Sequence, residues 1–515
     1  MERKNLTGAE IVVKALTELN IEVVFGYSGS YAMPMIEALH KSGIRFIQPT
    51  SECSAAHAAD GYYRASGKIA GVMTTSGPGA TNLITGIATA YMDSVPMLAL
   101  TANVPTYKLG KDSFQEVDIT GIATPITKYA HIIKSAEELE GELKKAYALS
   151  LSGRTSPVLI DVPYDVLKET GEYKNLPIPA YRGTNLNLSS VRRAAELINS
   201  ATLPGILAGG GAKGAESRIR KLAEKAGMPI FTSLRGISDG YGERLVGAIG
   251  SSAPYSHNRA FKACDVILAL GTRFSDRMYS KPTKKKYIQV DSDAAEIEKV
   301  VTTELGINAG CSEFLDALTP LVKAVDRPIT ECKLPRKQPP IKRLAATVLS
   351  AGDGSTVFAT DVGSHQIAFL HSIKEIDKNA LITSLGLGTM GFGLPALIGA
   401  LVATGKRGIL ITGDGSFNMN FNELSTAVKH HIPLVVAVLN NNSLGMIRRL
   451  QTARRSKSNV NAPYLNIDYA ALARSMGARG VTVSETEDIE DAVAHALDGS
   501  LPLVIDFKLP INTGI

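Results

Sequence analysis

Residues 409–446 read ILITGDGSFNMNFNELSTAVKHHIPLVVAVLNNNSLGM, and this stretch decides the fold of the last third of the chain. Two short apolar runs, ILIT and LVVAVL, have the length and β-branched content of buried strands, and a helical run, NELSTAVKHH, separates them. A strand, a helix and a second strand in this order form a crossover within a parallel sheet. The stretch therefore predicts a parallel α/β domain.

Polar residues follow both of these strands, at 413–415 and at 440–442. Because the carboxyl ends of parallel strands meet at one edge, where open α/β sheets bind ligands, we expect Asp414 and Asn441 to lie close together. A carboxylate oxygen and an amide oxygen suit a hard cation such as Mg²⁺, and the hydroxyl of Ser416 suits an anion. Taken singly, each polar segment is equally consistent with an ordinary turn.

The rest of the chain repeats the alternation of strands and helices. Residues 67–82, GKIAGVMTTSGPGATN, combine a strand with a tight turn and the start of a helix, and residues 204–231 repeat this pattern around a glycine run. Polar, proline-bearing linkers lie at 168–185 and 326–342. We predict three doubly wound parallel-sheet α/β domains, at 1–168, 186–326 and 341–515. Thr7 and Glu10 predict a capping box for the first helix.

Composition excludes several classes of function. The chain has 515 residues, of which 44% are hydrophobic and 20% charged, as in ordinary globular proteins. The net charge is +6, and the only dense basic run, 284–286, reads as a solvated loop, so we expect no nucleic-acid partner. Four widely spaced cysteines, Cys53, Cys264, Cys311 and Cys332, indicate reduced thiols and a cytoplasmic location.

Residues 380–405 carry no charge and are long enough to span a bilayer. They nevertheless contain several glycines, Pro395 and polar side chains, which favour a buried loop that enters a core helix. The amino terminus lacks the apolar core of a signal peptide. We therefore expect no membrane partner.

The pairing of Asp414 with Asn441 resembles the signature of thiamine-diphosphate-dependent enzymes. The resemblance implies that Asp414, Asn441 and the carbonyl group of Ser443 hold a Mg²⁺ ion that bridges the diphosphate. Residues 51–68, SECSAAHAADGYYRASGK, are similar to the family segment that carries an essential glutamate, which would be Glu52. A carboxyl group against the aminopyrimidine ring favours the imino tautomer that removes the C2 proton, and proton transfer of this kind contributes about 10²–10⁴-fold.

Two further segments are similar to cofactor-binding parts of that family. Residues 384–400, SLGLGTMGFGLPALIGA, would hold the cofactor bent around Met390, and residues 361–366, DVGSHQ, would contact the diphosphate. Without the resemblance, Met390 is a core residue and His365 an ordinary core or loop histidine. The cofactor-binding residues that the resemblance implies are Glu52, Gly363, Ser364, His365, Gly388, Met390, Gly413, Asp414, Gly415, Ser416, Asn441 and Met446.

Within this superfamily the chain is most similar to acetolactate synthase catalytic subunits. Residues 109–130, LGKDSFQEVDITGIATPITKYA, and 271–280, GTRFSDRMYS, carry the likeness. It implies that Glu52, Gln115, Lys128 and Arg277 are catalytic, with Phe114 beside them and Arg277 binding the carboxylate of the acceptor through its two-pronged guanidinium. A surface ion pair is the alternative for Arg277. The implied transferase reaction removes CO₂ from pyruvate and joins the remainder to a second pyruvate, giving 2-acetolactate for branched-chain amino acid biosynthesis.

The sequence departs from the family pattern at several positions. Leu450 stands where relatives carry a tryptophan that favours 2-oxobutanoate as acceptor, and the chain contains no tryptophan. The turn at 26–30 is altered, and residues 248–256 replace a motif that lies beside bound flavin in many relatives. The glycine run 209–211 still leaves FAD open as a third cofactor.

The departures also leave the function open to alternatives. One is another thiamine-diphosphate-dependent decarboxylase, carboligase or acetyltransferase with a different substrate, and another is a non-catalytic paralogue. Relatives build the site between two subunits, so the resemblance implies a homodimer or homotetramer. A regulatory small subunit stays open.

Overall fold

The computed structural model describes residues 4–181, 186–251, 253–275, 278, 285–328, 340–373, 375–377, 379–454, 467–484 and 499–510. These residues form three six-stranded sheets and one two-stranded ribbon. All strand pairs in the six-stranded sheets are parallel, and helices connect the strands. The predicted α/β class with three parallel sheets is confirmed.

The first sheet has the strand order β3-β2-β4-β5-β7-β6. The strands of this region are β1 (Lys4–Thr7), β2 (Val23–Gly26), β3 (Arg45–Ile47), β4 (Gly71–Thr74), β5 (Met97–Asn103), β6 (Tyr129–Ile132), β7 (Pro157–Pro163) and β8 (Thr170–Tyr173). Its helices are α1 (Gly8–Glu18), α2 (Met33–His40), α3 (Glu52–Ser66), α4 (Pro78–Asn82), α5 (Ile84–Met92), α6 (Ile119–Ala123), α7 (Ala136–Leu151) and α8 (Tyr164–Lys168), with 3₁₀ turns at Ser30–Ala32, Thr106–Lys108 and Thr124–Ile126. The order reverses between β2 and β4, so the crevice at their carboxyl ends is a natural ligand site.

At the two ends of this region the structure confirms the predicted capping box of α1 and adds a strand, β8, that the sequence did not predict. Thr7 caps α1, its hydroxyl accepting from the Glu10 N–H at 3.3 Å while the Glu10 carboxylate accepts from the Thr7 N–H at 2.8 Å, as predicted. β8, inside the segment read as a linker, pairs antiparallel with β1. Pairing partners more than 160 residues apart leave no local signal in the sequence.

The second sheet has the order β11-β10-β9-β12-β13-β14. Its strands are β9 (Pro204–Ala208), β10 (Ile230–Thr232), β11 (Leu245–Ala248), β12 (Val266–Leu270), β13 (Lys286–Asp291) and β14 (Leu305–Asn308). Its helices are α9 (Leu188–Ser200), α10 (Glu216–Ala226), α11 (Tyr255–Ala263) and α12 (Cys311–Leu318), with 3₁₀ turns at Gly210–Ala212, Leu234–Gly236, Ala294–Glu296 and Thr319–Leu321. At its switch point the glycine run meets the loop after β12, where the Gly211 N–H donates to the Gly271 carbonyl at 3.0 Å.

The third sheet has the order β16-β15-β17-β18-β20-β19. Its strands are β15 (Val357–Thr360), β16 (Leu381–Thr383), β17 (Gly408–Gly413), β18 (Leu434–Asn440), β19 (Arg479–Val483) and β20 (Leu503–Lys508). Its helices are α13 (Pro340–Ser350), α14 (Ser364–Leu370), α15 (Gly393–Thr404), α16 (Asp414–Asn420), α17 (Leu424–Lys429), α18 (Gly445–Ala453) and α19 (Tyr469–Ser475), with a 3₁₀ turn at Phe421–Glu423. A single helix was predicted at 422–431; instead α16 begins directly after β17 at Asp414, and α17 follows the 3₁₀ turn.

The chain divides into two compact units. One comprises Met1–Tyr181, Arg343–Gln366 and Asn379–Ile515 and contains the first and third sheets; the other comprises Arg182–Lys342 and Ile367–Lys378 and contains the second. Within the first unit, α3 and α15 pack backbone to backbone, because a Cβ atom at Gly61 or Gly399 would overlap a carbonyl group of the other helix. Among the described residues, no helix is long and apolar enough to cross a membrane.

Candidate active site

The strands β17 and β18 bring the polar residues at their carboxyl ends together. β17 and β18 pair in register from Gly408 with Leu434 to Gly413 with Leu439, so both strands end at the same edge. The Ser443 N–H donates to Asp414 Oδ2 at 3.0 Å and to Asn441 Oδ1 at 3.2 Å. The two side-chain oxygens therefore lie beside the same backbone N–H group, as the sequence predicted from the strand ends.

Asp414 is 3% exposed and accepts a second backbone bond, from the Gly415 N–H at 2.9 Å. Burial raises the pKa of Asp414 to about 6, and the backbone donors oppose the shift only in part. A buried carboxylate without a cationic partner costs free energy, which a bound cation would recover. The hydroxyl of Ser443 is buried and has no hydrogen-bond partner among the described residues. This donor set of carboxylate, amide and free hydroxyl oxygens fits a hard cation such as Mg²⁺.

A histidine, His365, lies beside this cluster in the first turn of α14, the helix that follows β15. The ring of His365 lies against two glycines, because a Cβ atom at Gly363 would come within 2.8 Å of it and one at Gly413 within 3.0 Å. Burial lowers the pKa of His365 to about 4, so the ring is neutral near pH 7. Its Nε2 atom is buried without a partner among the described residues. The order of the third sheet also reverses between β15 and β17, so these residues line its switch point.

Other residues of the predicted diphosphate site lie nearby. The Ser416 hydroxyl, in the first turn of α16, donates to the Val362 carbonyl at 2.8 Å. A Cβ atom at Gly445 would lie 3.6 Å from Ser364 Oγ and 3.6 Å from Asn441 Nδ2, so these two side chains approach the same glycine. The structure thus brings most of the predicted metal and diphosphate residues into one group: Gly363, Ser364, His365, Asp414, Ser416, Asn441 and Ser443. Met446 is half-buried in the first turn of α18.

The loop that carries Met390 is held by a residue that the sequence reading did not single out. The carboxylate of Asp361 accepts from the N–H groups of Gly391 at 2.9 Å and Gly393 at 3.3 Å. On the other side of Met390, the hydroxyls of Thr389 and Thr89 are 2.7 Å apart. Met390 is half-buried between these two attachments. The sequence did offer a signal for Asp361, because an aspartate directly after an apolar strand, as in residues 357–361, is placed at the carboxyl edge of the sheet.

Gly388 precedes Met390 in a left-handed conformation, with φ of 72°. A side chain there would be strained, and its Cβ atom would lie 3.7 Å from Val362 in the turn that bears His365. The loop therefore runs beside the diphosphate-site turn.

Glu52 lies at the carboxyl edge of the first sheet, as the first residue of α3. Ser51 caps this helix, its hydroxyl accepting from the Ser54 N–H at 3.2 Å. Glu52 Oε2 accepts from Asn82 Nδ2 at 3.0 Å, and a Cβ atom at Gly79 would lie 3.3 Å from Glu52 Oε1. The turn at 76–79 thus shapes the space beside this carboxylate.

The same turn brings Gln115 to this edge. Gly77 has a φ of 57°, and a Cβ atom there would lie 2.8 Å from the Cβ atom of Gln115. Gln115 itself has a left-handed backbone, with φ of 61°. Its neighbour Phe114 is 80% exposed. Glu52 and Gln115 therefore belong to one group, arranged on opposite sides of one glycine turn.

Lys128 lies apart from these groups. Lys128 directly precedes β6 and so lies at the amino-terminal edge of the first sheet, opposite to the edge that holds Glu52. Its ammonium group donates to the Ser152 hydroxyl at 3.1 Å and to the Arg154 carbonyl at 2.9 Å. Arg277 lies outside the described residues. Leu450 is 49% exposed on α18.

Three family models together match most of the chain. Residues 6–122 match the thiamine pyrophosphate enzyme N-terminal TPP binding domain, residues 191–318 match the central domain, and residues 361–507 match the C-terminal TPP binding domain.

Curated relatives align over nearly the whole length. The chain is 35% identical to a probable acetolactate synthase large subunit of Methanocaldococcus jannaschii, over 98% of this chain and 92% of the relative. It is 36% identical to an acetolactate synthase large subunit of Buchnera aphidicola and 34% identical to the acetolactate synthase isozyme 3 large subunit of Escherichia coli. Both of these alignments cover 96% of this chain and 92% of the relative.

Proposed function

The chain belongs to the thiamine-diphosphate-dependent family of acetolactate synthase large subunits, and from this premise we propose that it condenses two molecules of pyruvate to 2-acetolactate with release of CO₂. The observation that carries the proposal is the convergence of Asp414 and Asn441 on the Ser443 N–H at the ends of two parallel strands. A carboxylate oxygen and an amide oxygen at the carboxyl edge of a parallel sheet would suit a divalent metal ion held beside a diphosphate.

We assign the metal to Asp414, Asn441 and the Ser443 carbonyl group, and the diphosphate to the turns around Gly363, His365 and Ser416. Support comes from the free Nε2 atom of His365 and the free hydroxyl of Ser443, both buried polar atoms that a bound ion or phosphate would satisfy. A neutral His365 takes up a proton, or changes tautomer, to donate to an anion from Nε2. When bound, thiamine diphosphate supplies the nucleophilic carbon and the electron sink for loss of CO₂.

Glu52 is the proton-handling residue in this proposal. Its carboxyl group would hold a proton against the aminopyrimidine ring, with Asn82 orienting one oxygen at 3.0 Å. Met390 would support the bent cofactor from the loop that Asp361 anchors. Gln115 would face the substrate from the turn beside Glu52.

The roles of Lys128 and Arg277 stay predictions from the family likeness. Lys128 lies at the opposite edge of its own sheet, so no contact within the described chain supports its role. Arg277 would bind the carboxylate of the acceptor. We assign residues 1–168 to pyrimidine binding, 186–326 to a central Rossmann-like domain and 341–515 to diphosphate and metal binding.

The assembly and the third cofactor complete the proposal. We propose a cytoplasmic homodimer or homotetramer, and the large-subunit naming of its relatives supports a regulatory small subunit. The glycine run that follows β9 leaves open whether FAD is bound as a third cofactor. A flavin absorbance spectrum of the purified protein decides it, because released flavin is coloured and protein alone is not.

The deciding experiment is product analysis. The purified protein is incubated with pyruvate, thiamine diphosphate and Mg²⁺, and acetolactate and CO₂ are quantified. One mole of each is expected for every two moles of pyruvate consumed, and omission of the cofactor or chelation of the metal abolishes both. Acetaldehyde as the sole product would identify a decarboxylase instead. Adding 2-oxobutanoate as a competing acceptor tests the effect of Leu450, which replaces the tryptophan of relatives. We expect the protein to show little preference for 2-oxobutanoate over pyruvate.

A further inference from the structure

A buried carboxylate of the third sheet region holds the segment that leads into Glu52. Glu423 is 0% exposed, in the 3₁₀ turn between α16 and α17. Its Oε1 and Oε2 atoms accept from the Thr50 N–H at 3.0 and 3.2 Å, and Oε1 also accepts from the Thr50 hydroxyl. Thr50 lies 373 residues away in sequence but only two residues before Glu52.

The contacts around Glu423 leave little freedom. The Thr426 hydroxyl donates to Glu423 Oε2 at 2.7 Å, and Asn422 Nδ2 donates to the Thr50 hydroxyl at 2.6 Å. Because Asn422 occupies a lone pair of that hydroxyl, its proton is directed toward Glu423. All described donors to this carboxylate are neutral groups, so Glu423 acts here as a hydrogen-bond acceptor.

Thr50 is well placed to control Glu52. Ser51 is the cap of α3 and Glu52 is its first residue, so the orientation of the peptide at Thr50 sets where the helix begins. Among the residues that the structure describes, the Glu52 carboxylate accepts one side-chain hydrogen bond, from Asn82 Nδ2 at 3.0 Å.

We propose that Glu423 is a positioning residue for the reaction: as a double hydrogen-bond acceptor for Thr50, it holds the start of α3 so that Glu52 points at its proton-transfer partner. This inference rests on the proposed function of Glu52. It requires acceptor atoms at residue 423, and not a negative charge. Glutamine can meet the same requirement, because its carbonyl oxygen can accept both Thr50 bonds while its amide group donates to Thr426.

Three variants separate positioning from general stability. Glu423→Ala removes both acceptors for Thr50, Glu423→Gln keeps the acceptor and removes the charge, and Thr426→Val removes a buried bond to the same carboxylate without touching Thr50. The readouts are the rate of hydrogen–deuterium exchange at C2 of bound thiamine diphosphate, kcat with pyruvate, the cofactor Kd by titration calorimetry and the thermal unfolding midpoint.

We expect Glu423→Ala to slow C2 exchange and kcat by roughly 10–10²-fold, as misplacement of a catalytic group by about 1 Å does, with the cofactor Kd within about threefold of wild type. Glu423→Gln should restore both rates to within about threefold, and Thr426→Val should retain wild-type exchange even if its unfolding midpoint falls. Normal exchange in Glu423→Ala, equal loss in Glu423→Gln, or equal loss in Thr426→Val would each overturn the inference. A wild-type protein that exchanges the C2 proton but makes no acetolactate would refute the proposed function alone.

Discussion

Replacement of Asp414 by asparagine tests the proposed metal site. At neutral pH the buried carboxylate is ionised although burial has raised its pKa from 3.8 to about 6, a shift of roughly two units or about 3 kcal/mol. Asparagine removes this cost. It also turns one amide N–H toward the backbone donor of Gly415 or Ser443, which costs about 1–3 kcal/mol. Because these effects offset each other, we expect the cofactor-free variant to be nearly as stable as wild type.

The cofactor-bound state should differ sharply. A ligand at 100 times its Kd stabilises the folded protein by about 2.7 kcal/mol, which raises the unfolding midpoint of a unit of this size by roughly 4 °C. Differential scanning calorimetry with and without thiamine diphosphate and Mg²⁺ measures this gain. We expect the wild-type protein to show it and Asp414→Asn to lose most of it, because a neutral amide is a weaker ligand for Mg²⁺ than a carboxylate.

Asp265→Asn is the matched control. Asp265 also accepts backbone bonds, from the N–H groups of Thr202 at 2.7 Å and Leu203 at 2.9 Å, but it belongs to the second sheet. That variant should lose stability and keep the full cofactor-dependent gain. If Asp414→Asn retained the gain, the carboxylate would not be a metal ligand, and the shared position with Asn441 would have another purpose.

Three further predictions address the proton-transfer group, the acceptor and the loop anchor. Glu52→Gln should lower kcat by about 10²–10⁴-fold with an unchanged unfolding midpoint, and near-normal turnover would remove Glu52 from the mechanism. Arg277→Leu should raise the acceptor concentration needed for carboligation far more than it slows CO₂ release; equal loss in both half-reactions would contradict its role. Burial raises the pKa of Asp361 from 3.8 to about 6, so its stabilising contribution is complete below pH 3.8 and is lost as the pH rises through 6. Asp361→Asn should therefore gain stability relative to wild type between pH 4 and 7, by on the order of 3 kcal/mol in urea unfolding, and a pH-independent difference would refute this.

Local patterns were sufficient where strand, helix and site residues are close in sequence. The crossover around Asp414 and Asn441 is such a case, since a parallel βαβ unit leaves one arrangement for the two strand ends. The capping box of Thr7 and Glu10 is another, because its bonds join residues three apart. The cofactor family could likewise be inferred from these short segments.

The contacts that local patterns could not reveal join residues that are far apart in sequence. The hydrogen bond from Thr50 to Glu423 joins residues 373 positions apart, and the hydrogen bond from Gly391 to Asp361, which anchors the Met390 loop, joins residues 30 positions apart. The strand β8 in a predicted linker and the location of Lys128 at the far edge of its sheet depend on pairing across the chain. Periodicity and turn chemistry report only what a residue does to its near neighbours. Which distant backbone donor a buried carboxylate must satisfy is settled when the sheets and helices pack against each other.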